Sequence, residues 1–339
     1  MRILHLADLH LGYRDIRQDD SLNLPNPRDA LLERIADRLV ANQENGLKTW
    51  QHLDLLLIAG DLFDSHNPLD ILIHRTITAL QRIQALGTTI VTLPGNHDEY
   101  TYSNSVYRRY AKTWPGYLVE NHEIKAPESI NVRGQRIYLI SVAYNATKPG
   151  VKGVLGVFPP RKGDSLHICL LHGIPSHYPA ARRGERCLVY DAVSLSQSGY
   201  DYIALGHLHQ PMIVADIPEN PPGSSIQYAG MTMPRDAQDL GCGNLLFVDT
   251  AVGHTPLVEW YPISEDFFKP EDGKLIFDRQ LGYSAKEIEV LALQESTIGA
   301  LALKCQRDLL LTKEPEQERR ILTAFRLALE LLEREKLGS

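Results

Sequence analysis

The chain has 339 residues, 43% of them apolar and 23% charged, with a formal net charge of −7. That composition excludes a disordered or fibrous chain and suits either one large domain with a smaller appendage or two modest domains. The acidic balance excludes a uniformly basic coat for nucleic acid, although not a local basic surface.

Residues 2–7 form a short apolar run that predicts a first buried strand, with Asp8 and His10 at its carboxyl edge. Residues 29–40 carry apolar side chains at helical spacing after a Pro-Asn-Pro breaker. Residues 53–59 are almost continuously apolar and close on Gly60-Asp61, the pattern of a central strand. A helix is expected over 69–86 and a strand over 88–93, the latter closing on Pro94-Gly95-Asn96-His97-Asp98. The alternation of strand and helix is a βαβ signature. Further strands are expected over 136–143, 166–171 (ending at His172-Gly173), 201–205 (ending at Gly206-His207-Leu208-His209), 225–231, 244–249 and 257–261. A β-sandwich flanked by helices fits this order better than an open dinucleotide-binding sheet, and no GxGxxG or GxxxxGK[ST] occurs. The expected class is therefore α/β (α+β), with a main domain over 1–262 and a short, mostly helical region over 263–339. Within that region, helices are expected over 284–311 and 315–336. The apolar stripe Ile321, Phe325, Leu329 and Leu332 packs either on its own domain or on a partner.

Four cysteines (Cys169, Cys187, Cys242 and Cys305) lie far apart without a CxxC, which argues against a disulfide scaffold or a thiolate zinc site. The first residues lack the apolar core of a signal peptide and no run reaches membrane-spanning length, so the expected compartment is the cytoplasm.

The unusual feature is histidine, of which there are thirteen. Apolar strands end repeatedly in metal-ligand chemistry: Asp8/His10, Asp61, Asn96/His97, His172 and His207/His209. Any one of these alone suits a surface turn or a cap. Together they read as a set, because neighbouring strand ends converge in a sheet. Imidazole, carboxylate and carboxamide donors suit Mn²⁺, Fe²⁺ or Zn²⁺. Seven donors exceed the needs of one ion and suit two, with Asp61, from the central strand, as the natural bridge.

Asp8-x-His10, Gly60-Asp61 with Phe63-Asp64, Gly95-Asn96-His97-Asp98, His172-Gly173 and Gly206-His207-x-His209 resemble the five blocks of the calcineurin-like metallophosphoesterases. The opening MRILHLADLHLG, GDLFD, GHLHQP and the later Tyr228-Ala229-Gly230 are most similar to the SbcD-like DNA-repair nuclease subunits. The resemblance covers about residues 1–262 and implies a four-layer β-sandwich flanked by helices. It implies two divalent ions, Mn²⁺ first, with Mg²⁺, Fe²⁺ or Zn²⁺ as alternatives. Asp8, His10, Asp61 and His209 would hold one ion; Asp61, Asn96, His172 and His207 the other. His97 would stay off the metals and contact the phosphate or leaving group, and Asp64 would orient His97 or a neighbouring ligand. The implied activity is DNA phosphodiester hydrolysis, exonucleolytic on double-stranded ends and endonucleolytic on single strands. The implied partners are DNA, an SbcC-like coiled-coil ATPase bound through C-terminal helices, and a second copy of the chain. The 75 or so residues after Ile263 look short for both a full capping domain and a separate docking segment.

Charge is uneven. Residues 102–186 hold 13 Lys/Arg against 5 Asp/Glu, a local balance of +8. The candidates for substrate binding are Arg108, Arg109, Lys112, Arg182, Arg183 and Arg186, with Lys148, Lys152, Arg161 and Lys162 nearby. Tyr100, Tyr102, Tyr107, Tyr110 and Tyr144 lie among or near them. This is either a track for backbone phosphates and stacked bases or a solvated face over core tyrosines. His177 belongs either to the site mouth or to a surface loop, His5 is expected to be structural, and Arg235 and Asp236 could support the site. Two other functions compete with the nuclease: a phosphodiesterase or phosphatase for a small phosphoester, and an interaction subunit that has lost catalysis. The complete ligand set disfavours the last.

Overall fold

The computed structural model describes residues 1–13, 27–42, 50–147, 153–178, 180–181, 186–213, 226–233, 235 and 243–263. The chain divides into two units, Met1–Arg17 with Arg28–Ile263, and Gln18–Pro27 with Ser264–Ser339. The helices expected at 284–311 and 315–336, with Arg182, Arg183, Lys148, Lys152, Asp236, Cys242 and Cys305, lie outside the described residues. Cys169 and Cys187 are buried free thiols. Among the described residues no helix is long and apolar enough to cross a membrane.

In chain order the elements are β1 (Arg2–Leu6), a 3-10 turn (Pro27–Ala30), α1 (Leu31–Ala41), β2 (Leu55–Ala59), α2 (Asp70–Ala85), β3 (Thr89–Leu93), α3 (Val106–Tyr110), β4 (Tyr117–Leu118), β5 (Glu128–Val132), β6 (Gln135–Val142), β7 (Val154–Leu155), β8 (Leu166–Pro175), β9 (Leu188–Tyr190), α4 (Ala192–Ser196), β10 (Tyr202–Gly206), β11 (Met212–Ile213), β12 (Ile226–Tyr228), β13 (Asn244–Asp249) and β14 (Leu257–Pro262). One sheet runs β14-β13-β1-β2-β3-β4 and the other β11-β12-β10-β8-β6-β5. Both are mixed: β1, β2 and β3 are parallel, β13 is antiparallel to β1, and β6, β8, β10 and β12 are parallel. The fold is α/β, as expected.

The period-2 alternation of a strand explains the layering. Leu55, Leu57 and Ala59 of β2 join Ile3, Val91 and Leu93, and meet Ile137, Leu139, Ile168, Leu170, Tyr202 and Ala204 of the other sheet in one buried cluster. Leu56 and Ile58 point to the opposite face and are fully buried too. A second cluster covers the outer face of the other sheet, where Cys169, Leu171, Ile203 and Leu205 pack against Leu188, Ala192 and Leu195. In α1, Leu32, Ile35, Ala36 and Leu39 make the buried stripe that helical spacing predicts.

Two differences from the expected elements matter. The strand expected to end at His172-Gly173 continues to Pro175, because Gly173, Ile174 and Pro175 pair with Leu188, Val189 and Tyr190 of β9. His172 therefore sits inside a strand. In addition β4, β5, β7, β9, β11, α3 and α4, of two to five residues each, were not anticipated.

His5 is structural, as expected. It is fully buried between the sheets, with Nδ1 2.9 Å from the Tyr202 hydroxyl. Burial pushes its pKa down to about 3. An unfolded histidine titrates near ~6.5, so between these values the unfolded chain holds a proton that the folded chain does not. Stability present above that range is therefore lost as the pH falls through it. Urea unfolding of metal-free protein should show the wild type losing about 2 kcal/mol more than His5→Leu between pH 7 and pH 5. Equal losses would mean that His5 is not held neutral.

Candidate metal centre

The site forms where the carboxyl ends of β1, β2, β3 and β10 meet the middle of β8, the position that such sheets offer to ligands. β2 lies against β8 and β10 across the sandwich. The loop after β1 runs beside the loop after β2: Asp8 N–H donates to Gly60 O (3.1 Å), His10 N–H to Asp61 O (3.0 Å) and Leu11 N–H to Leu62 O (2.9 Å). Asp8, His10, Asp61 and His207 all adopt left-handed backbone, with φ of 52°, 46°, 49° and 96°. Such strain costs on the order of 1–3 kcal/mol per residue and gathers at functional sites.

Asp61 occupies the centre. Its Oδ1 accepts the His97 N–H at 2.9 Å. Its Oδ2 lies 3.3 Å from His172 Nε2 and 3.7 Å from His10 Nε2. Both imidazoles are held by their other nitrogen. His10 Nδ1 donates to Asp64 Oδ1 (2.9 Å) and His172 Nδ1 donates to Ala59 O (2.8 Å). In its neutral form each ring presents an Nε2 lone pair toward Asp61, the form in which it can bind a metal ion. His10 Nε2 is buried and has no hydrogen-bond partner among the described residues. Asn96 Oδ1, another acceptor, lies 3.0 Å from both His172 Nε2 and His207 Nδ1. A buried cluster of lone pairs facing one another is satisfied by cations, and the residues fit a metal centre on that ground.

Three overlapping groups each place their ligand atoms within 4.8 Å of one another: Asp8, His10 and His209; His10, Asp61 and His97; Asp8, Asp61 and His172. Together they make a candidate dinuclear divalent-metal site. All seven expected ligands converge here. Asp8 accepts the His207 N–H at 2.9 and 3.2 Å, and Arg235 lies 3.0 Å from His209 Nδ1, so it does reach the site.

The electrostatics follow from burial and proximity. Burial opposes charge on Asp61, yet His172 and the other histidines hold its carboxyl well below the usual range. Burial also opposes the proton on His172, but Asp61 and Asp8 raise its pKa to about 9. Burial pushes Asp8 up, His10 down and His207 down to about 3.

His97 is more open. Its Nδ1 donates to the Asp64 backbone carbonyl at 3.1 Å, and its ring stands edge-on to His10 with centroids 4.6 Å apart. The Asp64 carboxylate is bonded to His10 and lies 3.6 Å from His97 Nδ1, so Asp64 holds both histidines.

Two acids had no role in the sequence reading. Buried Asp98 accepts from Gly95 N–H (2.7 Å), Phe63 N–H (3.1 Å) and the Tyr107 hydroxyl (2.7 Å), which ties the Asp61 and Asn96 loops to α3. Burial and nearby Asp61 raise its pKa to about 6. Buried Glu99 pairs with Arg186 at 2.7 Å. The available signal was their place directly after His97.

Several cations of the basic stretch are paired within the fold. Arg109 pairs with Asp70 (2.8 Å), and Arg108 lies over the Tyr100 ring and donates to the Tyr100 carbonyl. Arg161 is committed to Asp201, Gly199 and Ser165. Tyr107 and Tyr144 are core residues, whereas Tyr102 is 41% exposed. Lys112 is exposed just beyond α3, and His177 lies in the turn after β8. Of the expected substrate residues that are described, Arg186 is the one whose side chain reaches a pocket bordered by Asn96 and His97.

Comparison with known proteins agrees with this geometry. The calcineurin-like phosphoesterase family profile matches residues 1–211. The chain is 25% identical over 243 residues to the "DNA double-strand break repair protein Mre11" of Methanopyrus kandleri, covering 69% of this chain and 49% of that protein. It is 24% identical over 225 residues to the protein of the same description from Saccharolobus solfataricus, covering 62% and 49%. It is 24% identical over 251 residues to the "Uncharacterized metallophosphoesterase YhaO" of Bacillus subtilis, covering 71% and 55%. The chain thus spans about half the length of the curated relatives it matches.

Proposed function

Since the chain belongs to the calcineurin-like phosphoesterase family, we propose that it is a metal-dependent DNA nuclease, hydrolysing phosphodiesters at double-stranded ends and within single strands. The observation that carries phosphoester hydrolysis is Asp61 Oδ2 facing the Nε2 lone pairs of both His172 and His10. What favours DNA among phosphoesters is the similarity to two proteins described as Mre11.

In this reading Asp8, His10, Asp61 and His209 hold one ion, and Asp61, Asn96, His172 and His207 the other, with Mn²⁺ preferred over Mg²⁺, Fe²⁺ or Zn²⁺. When bound, divalent ions supply Lewis-acid charge that polarises the phosphoester and lowers the pKa of water. The protein's own part is positioning. Asp64 and the Ala59 carbonyl fix the tautomers of His10 and His172, so that Nε2 is the ligating nitrogen in each. His97, anchored through Nδ1, would as the imidazolium hand a proton from Nε2 to the departing 3′ oxygen. The cationic centre also offsets the repulsion that Asp8 and Asp61 would exert on an anionic substrate.

End-labelled duplex DNA, circular single-stranded DNA and bis(p-nitrophenyl) phosphate, each with Mn²⁺ or with chelator, test the reading. The expected result is Mn²⁺-dependent loss of both DNAs, abolished by chelator. Cleavage of the small diester alone would leave a phosphodiesterase for small phosphoesters, which the modest pocket of about 280 Å³ beside His97 would suit. The same reading has the C-terminal helices of residues 263–339 dock an SbcC-like ATPase and the chain pair with a second copy; co-purification and light scattering test these.

A further inference from the structure

One side chain beside the metal ligands is held in a way that stability alone does not account for. The pocket of about 280 Å³ is walled in part by His66, Asn96, His97, Tyr102 and Arg186. Asn96 and His97 belong to the metal centre, so the pocket opens directly off the reacting position. Among its described lining residues Arg186 alone carries a fixed positive charge. The rings of His66 and Tyr102 stack at 4.0 Å between centroids and 23° between planes, which makes a flat aromatic surface in the same wall.

The ion pair of Arg186 is asymmetric. The Glu99 side chain is 1% exposed, whereas that of Arg186 is 61% exposed. Glu99 is itself immobilised, accepting from Ala146 N–H (3.1 Å) and from the Thr101 hydroxyl. The Tyr144 side chain lies beside the guanidinium and favours its charge. Burying a carboxylate to meet a cation that stays in water brings little stability, because desolvation offsets the attraction. It does fix the direction in which the cation points. A guanidinium has five N–H donors in a rigid fork, and Glu99 and Tyr144 do not use them all. Arg109 and Asp70 make the contrast: that pair is open on both sides, at 31% and 66%, as ordinary surface pairs are.

Resting on the nuclease reading above, we propose that Arg186 is a specificity-determining residue that binds a second, non-scissile phosphate, next to the one at the metal centre. The Tyr102–His66 surface then faces the base or sugar between the two phosphates. The preferred substrate is a nucleotide chain with an adjacent phosphate, and an isolated diester is a poor one.

Three dinucleotides test this with the full chain and Mn²⁺: TpT, with only the scissile phosphate, and its terminally phosphorylated forms pTpT and TpTp. Wild type is expected to prefer one phosphorylated form over TpT by about tenfold or more in kcat/KM, mainly through KM. Arg186→Gln should bring that ratio close to one, with Arg186→Lys in between. Because Arg186→Gln strands a buried carboxylate, the double variant Glu99→Gln/Arg186→Gln serves as the well-folded counterpart, and the same loss of preference is expected there. No preference in the wild type, or a preference that survives in both variants, overturns the proposal. Bis(p-nitrophenyl) phosphate in parallel separates it from the reading beneath it. Turnover of TpT without preference removes Arg186 and leaves nucleotide hydrolysis standing; turnover of the small diester with no dinucleotide cleaved removes both.

Discussion

Replacing Asp61 by Asn is expected to abolish turnover and to release both of the proposed metal ions. Asp61 is the residue whose carboxylate faces ligand nitrogens on both sides of the centre, His10 and His172. An amide of the same shape keeps the His97 N–H contact through its oxygen, but carries no charge to offset two cations. Loss of a single electrostatic donor in an active site costs ~10²–10³ in rate, and loss of a shared ligand should exceed about a thousandfold. Titration calorimetry with Mn²⁺ should show two ions bound to wild type and neither bound tightly to Asp61→Asn. His97→Ala makes the informative contrast. With His97 as proton donor and not ligand, two ions remain and turnover falls by about 10²–10⁴. His97 also lies within reach of His10 and Asp61, so loss of an ion from His97→Ala would make it a ligand.

Gly206→Ala is expected to disable the centre without replacing a ligand. A Cβ at Gly206 would stand 1.9 Å from the Ala59 carbonyl oxygen and 2.9 Å from His172 Nδ1. That oxygen is the acceptor that fixes His172. The clash is with backbone, so a rotamer change cannot relieve it, and β2 and β10 must move apart where their carboxyl ends meet. Overpacking of this kind costs about 1–3 kcal/mol, and a backbone contact belongs at or above the upper end. Chemical unfolding should report a loss of about 3 kcal/mol, and Mn²⁺ affinity should fall by about 10–100-fold, as when an acceptor behind a ligating histidine is lost. Full-affinity metal binding in a normally stable Gly206→Ala protein would mean that the strands separate at no cost to the site.

Most of the site's chemistry was legible in sequence because it is written locally. A run such as Leu55–Ala59 announces a buried strand through its own residues, and Gly60-Asp61 directly after it marks the end where ligands gather. The same reasoning found Asp8, His10, Asn96, His207 and His209. His172 was found for a slightly wrong reason: it lies within β8, and only its pairing with β9 carries the strand past it. The limits of the elements were also local, which is why β2, α2 and β3 fall within two residues of expectation.

What sequence could not supply is who faces whom. His172 takes its tautomer from Ala59, 113 residues away, and Asn96 meets His207 across 111. Nothing in a local pattern selects one acceptor among many at such separation. The same holds for the cations. Arg108, Arg109, Arg161 and Arg186 look alike in a chain of basic residues, yet three are satisfied by nearby carbonyls, rings or carboxylates, and one is held by a buried acid at a pocket beside the metal centre. Residue type and periodicity by themselves determined the central strands, the class of fold and a candidate dinuclear set of donors, because each depends on the chemistry of a few consecutive residues. The unpaired His10 nitrogen, the roles of Asp98 and Glu99, and the choice of Arg186 came from packing two sheets face to face, since hydrogen bonds and charge pairs over long separations exist only once the chain has closed.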